Sequence, residues 1–123
     1  MKKIILLSTM LLVFGSVNAQ NKCNGFILKL KNGTIEKYDA SGTNKQSSMM
    51  SNIMDFDCNE KEIAVVKTDG SVAFYDHGGN IKFSCGRGAK KIKYLDSKIY
   101  VVTKEDGSMR KYEIGGCNDR GSF

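Results

Sequence analysis

Ile99–Gly116 reads IYVVTKEDGSMRKYEIGG, and two earlier stretches, Gly25–Gly42 (GFILKLKNGTIEKYDASG) and Glu62–Gly79 (EIAVVKTDGSVAFYDHGG), align with it without a gap at a spacing of 37 residues. Each copy carries an apolar run, an Asn-Gly or Asp-Gly pair, a small hydroxyl residue, a tyrosine four positions on, then an acid and a glycine. A repeat of roughly 20–50 residues is one supersecondary unit that cannot bury its apolar face alone and must stack on its neighbours.

Within a copy the apolar residues alternate. Phe26, Leu28 and Leu30 share one side and Lys29 and Lys31 the other, which is the period of a strand. Asn32-Gly33, Asp69-Gly70 and Asp106-Gly107 predict hairpins with type I′ turns, which need φ > 0 at both central residues. Thr34, Ser71 and Ser108 open the return strands; Tyr38, Tyr75 and Tyr112 close them with large half-buried rings. Ile53–Phe56, Ile81–Ser84 and Lys91–Leu95 add strand signals between the hairpins, whereas Asp39–Ser51 is polar, Ser-rich and expected to be the least ordered stretch. No long helical periodicity follows the first nineteen residues. The class is all-β, built from three tandem antiparallel hairpin repeats.

The segments KIYVVTKEDGSMRKYEIGG and EIAVVKTDGSVAFYDHGG resemble the blades of WD40-like and quinoprotein-like β-propellers. They look like the inner strands of a blade, joined by the Asp-Gly turn and ending in Tyr-acid before Gly-Gly. The resemblance implies blades, but the blade tryptophans of those families are missing, so it implies neither a bound quinone nor any other cofactor. Propellers close with about four to eight blades, more than this chain holds. Three arrangements would bury the repeats: an open fan with a partner on its wet faces, a six-blade ring made by two chains, or a compact β-trefoil-like barrel.

Residues 1–19 read as a bacterial Sec-type signal peptide: Lys2 and Lys3, an apolar stretch from Ile4 to Phe14, then Val17-Asn18-Ala19 before a cut at Gln20. The stretch is too short to span a bilayer, so no transmembrane anchor is expected. The expected product is a single domain, residues 20–123, secreted or periplasmic. Its formal charge falls from +6 to +4 with the loss of Lys2 and Lys3, too little to mark a specific nucleic-acid binder. Cys23, Cys58, Cys85 and Cys117 are all retained; an even count in an exported chain predicts two disulfides rather than a zinc site, since no CxxC pair occurs. Cys23 and Cys117 lie near the two ends, which suggests that they pair and leave Cys58 to Cys85.

Few residues suggest chemistry. His77 is the only histidine, and its position is filled by Ala40 and Ile114 in the sister copies, so a turn role is expected over catalysis with Asp76. Asp55, Asp57 and Asn59 open like a calcium loop, but Glu60 stands where the turn glycine belongs, and no metal is expected. Gly86-Arg87-Gly88-Ala89-Lys90-Lys91 lacks Walker spacing. Asn32-Gly33-Thr34 matches a glycosylation sequon, but the tight turn accounts for it. One patch stands out: Lys82, Arg87, Lys90, Lys91 and Lys93, interleaved with Phe83 and Tyr94. Charge and stacking together suit an anionic polymer or a protein partner. The expected function is therefore a non-enzymatic binding module. A small hydrolase of phosphodiesters or glycans using His77, and a structural homo-oligomer, are the alternatives.

Overall fold

The computed structural model describes residues 17–86, 88–117 and 119–122. Among the described residues twelve strands form three four-stranded antiparallel meanders. The first blade is β1 (Val17–Lys22), β2 (Ile27–Lys31), β3 (Thr34–Tyr38) and β4 (Lys45–Met50). The second is β5 (Ile53–Cys58), β6 (Glu62–Lys67), β7 (Val72–Asp76) and β8 (Ile81–Cys85); the third is β9 (Ala89–Tyr94), β10 (Ile99–Lys104), β11 (Met109–Glu113) and β12 (Asp119–Ser122). β1 packs against β5 and β5 against β9, which makes these three the innermost strands at a common hub. The sheets are sectors of a propeller and not a trefoil-like barrel.

Two elements are placed differently from the sequence reading. The repeat hairpins β2–β3, β6–β7 and β10–β11 are the middle strands of their blades, because the linker strands β5 and β9 take the hub. Lys45–Met50 is ordered as β4 despite its polarity: an outermost strand needs only the ladder to β3, so exposed serines suffice. The signal segment predicted for residues 1–19 lies mostly outside the described residues, though Val17–Ala19 begin β1. Cleavage after Ala19 would keep Gln20, Asn21 and Lys22, which pair with Lys29, Leu28 and Ile27.

The turns are not alike. Asn32 (φ 52°) and Gly33 (φ 80°) form the expected type I′ pair. In the later copies only the glycine is left-handed, Gly70 at 86° and Gly107 at 90°. There Lys67 N donates to Ser71 O and Gly70 N to Lys67 O, with the same pattern at Lys104–Ser108, which is a type I turn followed by a glycine bulge. The carboxylates of Asp69 and Asp106 hold that turn by accepting from the amide (both 2.9 Å) and hydroxyl (both 2.6 Å) of Ser71 and Ser108. The shorter first turn shifts β2 by one residue. Tyr38, Tyr75 and Tyr112 pair with Ile27, Ile63 and Tyr100, so β2 matches β6 at 36 residues and not 37. A one-residue slip exchanges the faces of a strand. Leu28 therefore corresponds to Ala64 and Val101, and Lys29 to Val65 and Val102.

With that register the core falls into two seams. Leu28, Leu30 and Ile35 of the first blade meet Phe56, Ile63 and Val65 of the second. Ala64, Val66 and Phe74 of the second meet Ile92, Tyr100 and Val102 of the third. Each fully buried aliphatic side chain contributes about 1.5–3 kcal/mol. The disulfides staple the same seams, Cys23–Cys58 and Cys85–Cys117, both with Cα atoms 5.8 Å apart. This corrects the expected pairing of Cys23 with Cys117: they sit on the first and third blades with the second between them, beyond disulfide reach.

Candidate functional site

At the hub, side chains of one innermost strand reach the backbone of the next. Asp55 Oδ2 accepts Ile92 N at 2.9 Å and Asp57 Oδ2 accepts Tyr94 N at 2.7 Å, joining β5 to β9. Asp57 Oδ1 also takes Asn21 Nδ2 (2.9 Å) from β1 and Cys58 N (2.8 Å). Burial raises the pKa of Asp55 despite the Ile92 amide. The carboxylates that opened a calcium-like pattern are thus committed to holding blades together. Asn59 Oδ1 is likewise used, accepting the amides of Lys61 and Glu62 (both 2.8 Å).

A cavity of about 440 Å³ opens at this hub. It is walled on one side by Asn21, Phe56, Asp55 and Asp57, the two carboxylates being held by the inter-strand bonds above, and on the other by the outer face of the third blade. Its wall is set by register: Val101 pairs with Lys93 and Lys111, and Thr103 with Lys91 and Met109, and paired residues share a face. Val101 is the floor at 6% exposure, with Leu95 (55%) and Met109 (41%) standing open around it.

The structure divides the basic patch read from sequence. Lys90, Lys91 and Lys93 are exposed on β9, and Lys91 and Lys93 border the cavity. Lys82 lies on β8, at the rim of the second blade, with Nζ 3.1 Å from Glu62 Oε1. Tyr94 Oη donates to Glu62 Oε2 at 2.6 Å, and burial together with that carboxylate pushes its pKa far up. Phe83 stacks on Phe74 at 4.5 Å. Arg87 lies outside the described residues. Leu95, Val101 and Met109 escaped the sequence reading because the gapless alignment placed Val101 opposite Ile27 and hid the face it belongs to.

His77 completes the first seam. Its Nε2 is 2.9 Å from Asn59 O and its ring meets the edge of Phe26 at 4.9 Å. The neighbouring Asp76 is engaged in its own turn, where Oδ1 accepts Gly78 N and Asn80 N (both 2.9 Å). The two side chains therefore serve separate structural contacts.

No family model matches the chain, and no curated protein matches it. Solved structures do. The N-terminal domain of Nup159 superposes with a TM-score of 0.66 at 12% identity over 84% of this chain and 35% of that one. Kluyveromyces lactis Hsv2 gives 0.66 at 12% identity over 85% and 35%. The C-terminal WD40 domain of Sif2 gives 0.63 at 14% over 86% and 33%. The computationally designed Ika4 protein gives 0.62 at 18% over 80% and 66%. The three sheets have the fold of β-propeller blades, and the chain spans about a third of the natural structures it resembles.

Proposed function

We propose that the chain is an exported, non-enzymatic interaction module that binds a negatively charged macromolecular partner through the exposed lysines of β9. The observation that carries this reading is the sorting of the polar side chains. Asp55, Asp57 and Glu62 are engaged in inter-blade bonds and His77 in a bond within its own blade and a ring contact with Phe26, while Lys90, Lys91 and Lys93 stay exposed, the last two beside a cavity. Two disulfides are compatible with an extracellular or periplasmic site and support export. No helix of the described residues is long and apolar enough to cross a membrane.

Retention of the oxidised chain on immobilised polyglutamate tests the reading. Retention should fall steeply between about 50 and about 500 mM salt, as screening shortens the reach of exposed charges, and should vanish in Lys90→Glu/Lys91→Glu/Lys93→Glu. A chain that passes unretained at low salt, or is held equally after the triple change, overturns it. Turnover of a phosphodiester or glycan substrate that His77→Ala abolishes would replace it with the hydrolase reading.

A further inference from the structure

The two ends of the fan are built differently. The outer face of the first blade is closed by its own residues. Where the later blades place Val65 and Val102, it has Lys29; in place of Phe56 and Ile92 it has Gln20; in place of Ala73, Glu36. Lys29 lies over the Tyr38 ring at 4.2 Å and donates to Gly42 O at 2.8 Å, which draws the β3–β4 loop onto Ile27. Lys45 (3.0 Å) and Lys31 (3.8 Å) neutralise Glu36, whose Oε1 also accepts from Tyr38 Oη. Ile27 and Tyr38 are accordingly 8% and 7% exposed with no blade of the described residues beyond them. Terminal repeats that are not meant to stack are capped with polar groups in this way.

The described residues of the third blade form no such cap. Its outer positions are the equivalents of residues that meet the next blade elsewhere in the chain: Val101 matches Leu28 and Ala64, Thr103 matches Leu30 and Val66, and Met109 matches Ile35 and Val72. At the hub, Lys91 and Lys93 pair with Thr103 and Val101 as Asp55 and Asp57 pair with Val66 and Ala64. The second blade thus offers acceptors to its neighbour's amides, whereas the third offers cations. Whatever covers this face must bring acceptors of its own.

We infer that the outer face of the third blade docks an acidic polypeptide, one that sets carboxylates against Lys91 and Lys93 and apolar side chains into the cavity of Leu95, Val101 and Met109. The inference rests on the reading of the chain as a binder of an anionic partner and commits it to a protein. A second copy does not fit. Head-to-tail closure would set against these lysines a capped face that keeps a positive excess, Lys22, Lys29, Lys31 and Lys45 to the single carboxylate of Glu36, and face-to-face pairing would set lysine against lysine. Like charges facing each other select against a partner.

The probe is a short peptide one strand face of which reads Glu-Leu-Glu-Leu, with serine between, titrated into the oxidised full chain and followed by amide and methyl NMR shifts. Saturable shifts at Val101, Thr103 and Met109 are expected. Affinity should fall about tenfold or more in Leu95→Ser/Met109→Ser and in Lys91→Glu/Lys93→Glu, as for close charge pairs and apolar anchors at interfaces. Leu95 and Met109 are exposed, so an unchanged melting temperature should accompany those changes. Equal binding of a Glu-Ser peptide, or tighter binding of polyphosphate indifferent to Leu95 and Met109, overturns the docking inference while polyglutamate retention keeps the broader reading alive. Sedimentation as a dimer that Met109→Lys converts to monomer overturns it in favour of a homotypic face. Loss of polyglutamate retention as well removes both.

Discussion

Tyr94 donates its phenolic hydrogen to Glu62 at 2.6 Å across the seam between the second and third blades, and Lys82 reaches the other carboxylate oxygen at 3.1 Å. Glu62 is 3% exposed, so its charge depends on these two partners. Removing one partner of a buried charge leaves that charge undercompensated. Tyr94→Phe should lower stability by about 1.5–3 kcal/mol, the range for a hydrogen bond to an ionised group. Lys82→Met should matter less, because Lys82 is half in solvent. Urea denaturation of the two variants checks the order; a larger loss in Lys82→Met would show that the ion pair, and not the phenol, holds Glu62.

The hairpins, the strand class and the propeller blades were legible in the sequence because alternation and Asp-Gly turns are local signals. The one-residue slip of β2 was not. Asn-Gly and Asp-Gly look interchangeable in a row of letters, yet Asn32 adopts a left-handed φ while Asp69 and Asp106 use their carboxylates to hold a longer turn. That difference decides which face Leu28 and Lys29 occupy, and so hid both the cap on the first blade and the open face of the third. Lys82, Phe83 and Tyr94 look like patch members in the sequence because their proximity there says nothing of Glu62, which lies 20 and 32 residues from Lys82 and Tyr94.

Asp57 and Asp55 should respond differently to substitution. Asp57 accepts from Asn21, Cys58 and Tyr94, so Asp57→Ala leaves three part-buried donors without their acceptor and should cost about 1–3 kcal/mol in all. Asp55 accepts from Ile92 at the hub, and burial already disfavours its charge. An amide oxygen can take the same hydrogen without that charge, so Asp55→Asn should leave stability unchanged or raise it. Chemical denaturation of Asp57→Ala, Asp55→Asn and Asp55→Ala checks this. Equal losses in both Asp55 variants would show that the ionised form is needed.

Acid should unfold the chain through its turns. The Ser41 hydroxyl at Asp39, the Asn80 amide at Asp76 and the Ser108 hydroxyl at Asp106 hold these carboxyls below the usual range. When a folded-state pKa is depressed, the unfolded chain takes up protons first as pH falls. The stabilisation is therefore complete above the unfolded value near about 4 and is lost as pH drops through the folded one. Asp55, with its raised pKa, has the opposite slope. Melting temperature should be flat at mildly acidic pH and fall below about pH 4. Asp39→Asn, Asp76→Asn and Asp106→Asn together should flatten that fall; an unchanged acid limb would place the cause elsewhere.

Alkali should act on the second seam. Burial raises the pKa of Tyr94 and Tyr100, with Glu62 adding to both. Phenols with raised folded-state pKa stay protonated while the unfolded chain ionises, so stability falls as pH passes about 10. Ultraviolet titration of the native chain should leave these two tyrosines un-ionised until the fold is lost, and a Tyr94→Phe/Tyr100→Phe variant should lose one cooperative step. Full ionisation without unfolding would contradict the packing of this seam.

The disulfides should stabilise each seam separately. Cys23–Cys58 closes 35 residues and Cys85–Cys117 closes 32. Loops of that length correspond to about 4 kcal/mol of denatured-chain entropy each, within the roughly 2–5 kcal/mol seen when a native bridge leaves a small exported domain. Non-reducing peptide mapping should recover only these two links. Cys85→Ser/Cys117→Ser should then loosen the third blade first: amide exchange would rise on β10 and β11 while Leu28 and Ile35 stay protected. Uniform loss of protection across all three blades would instead show that the two seams fold as one unit, and that the third blade cannot open by itself.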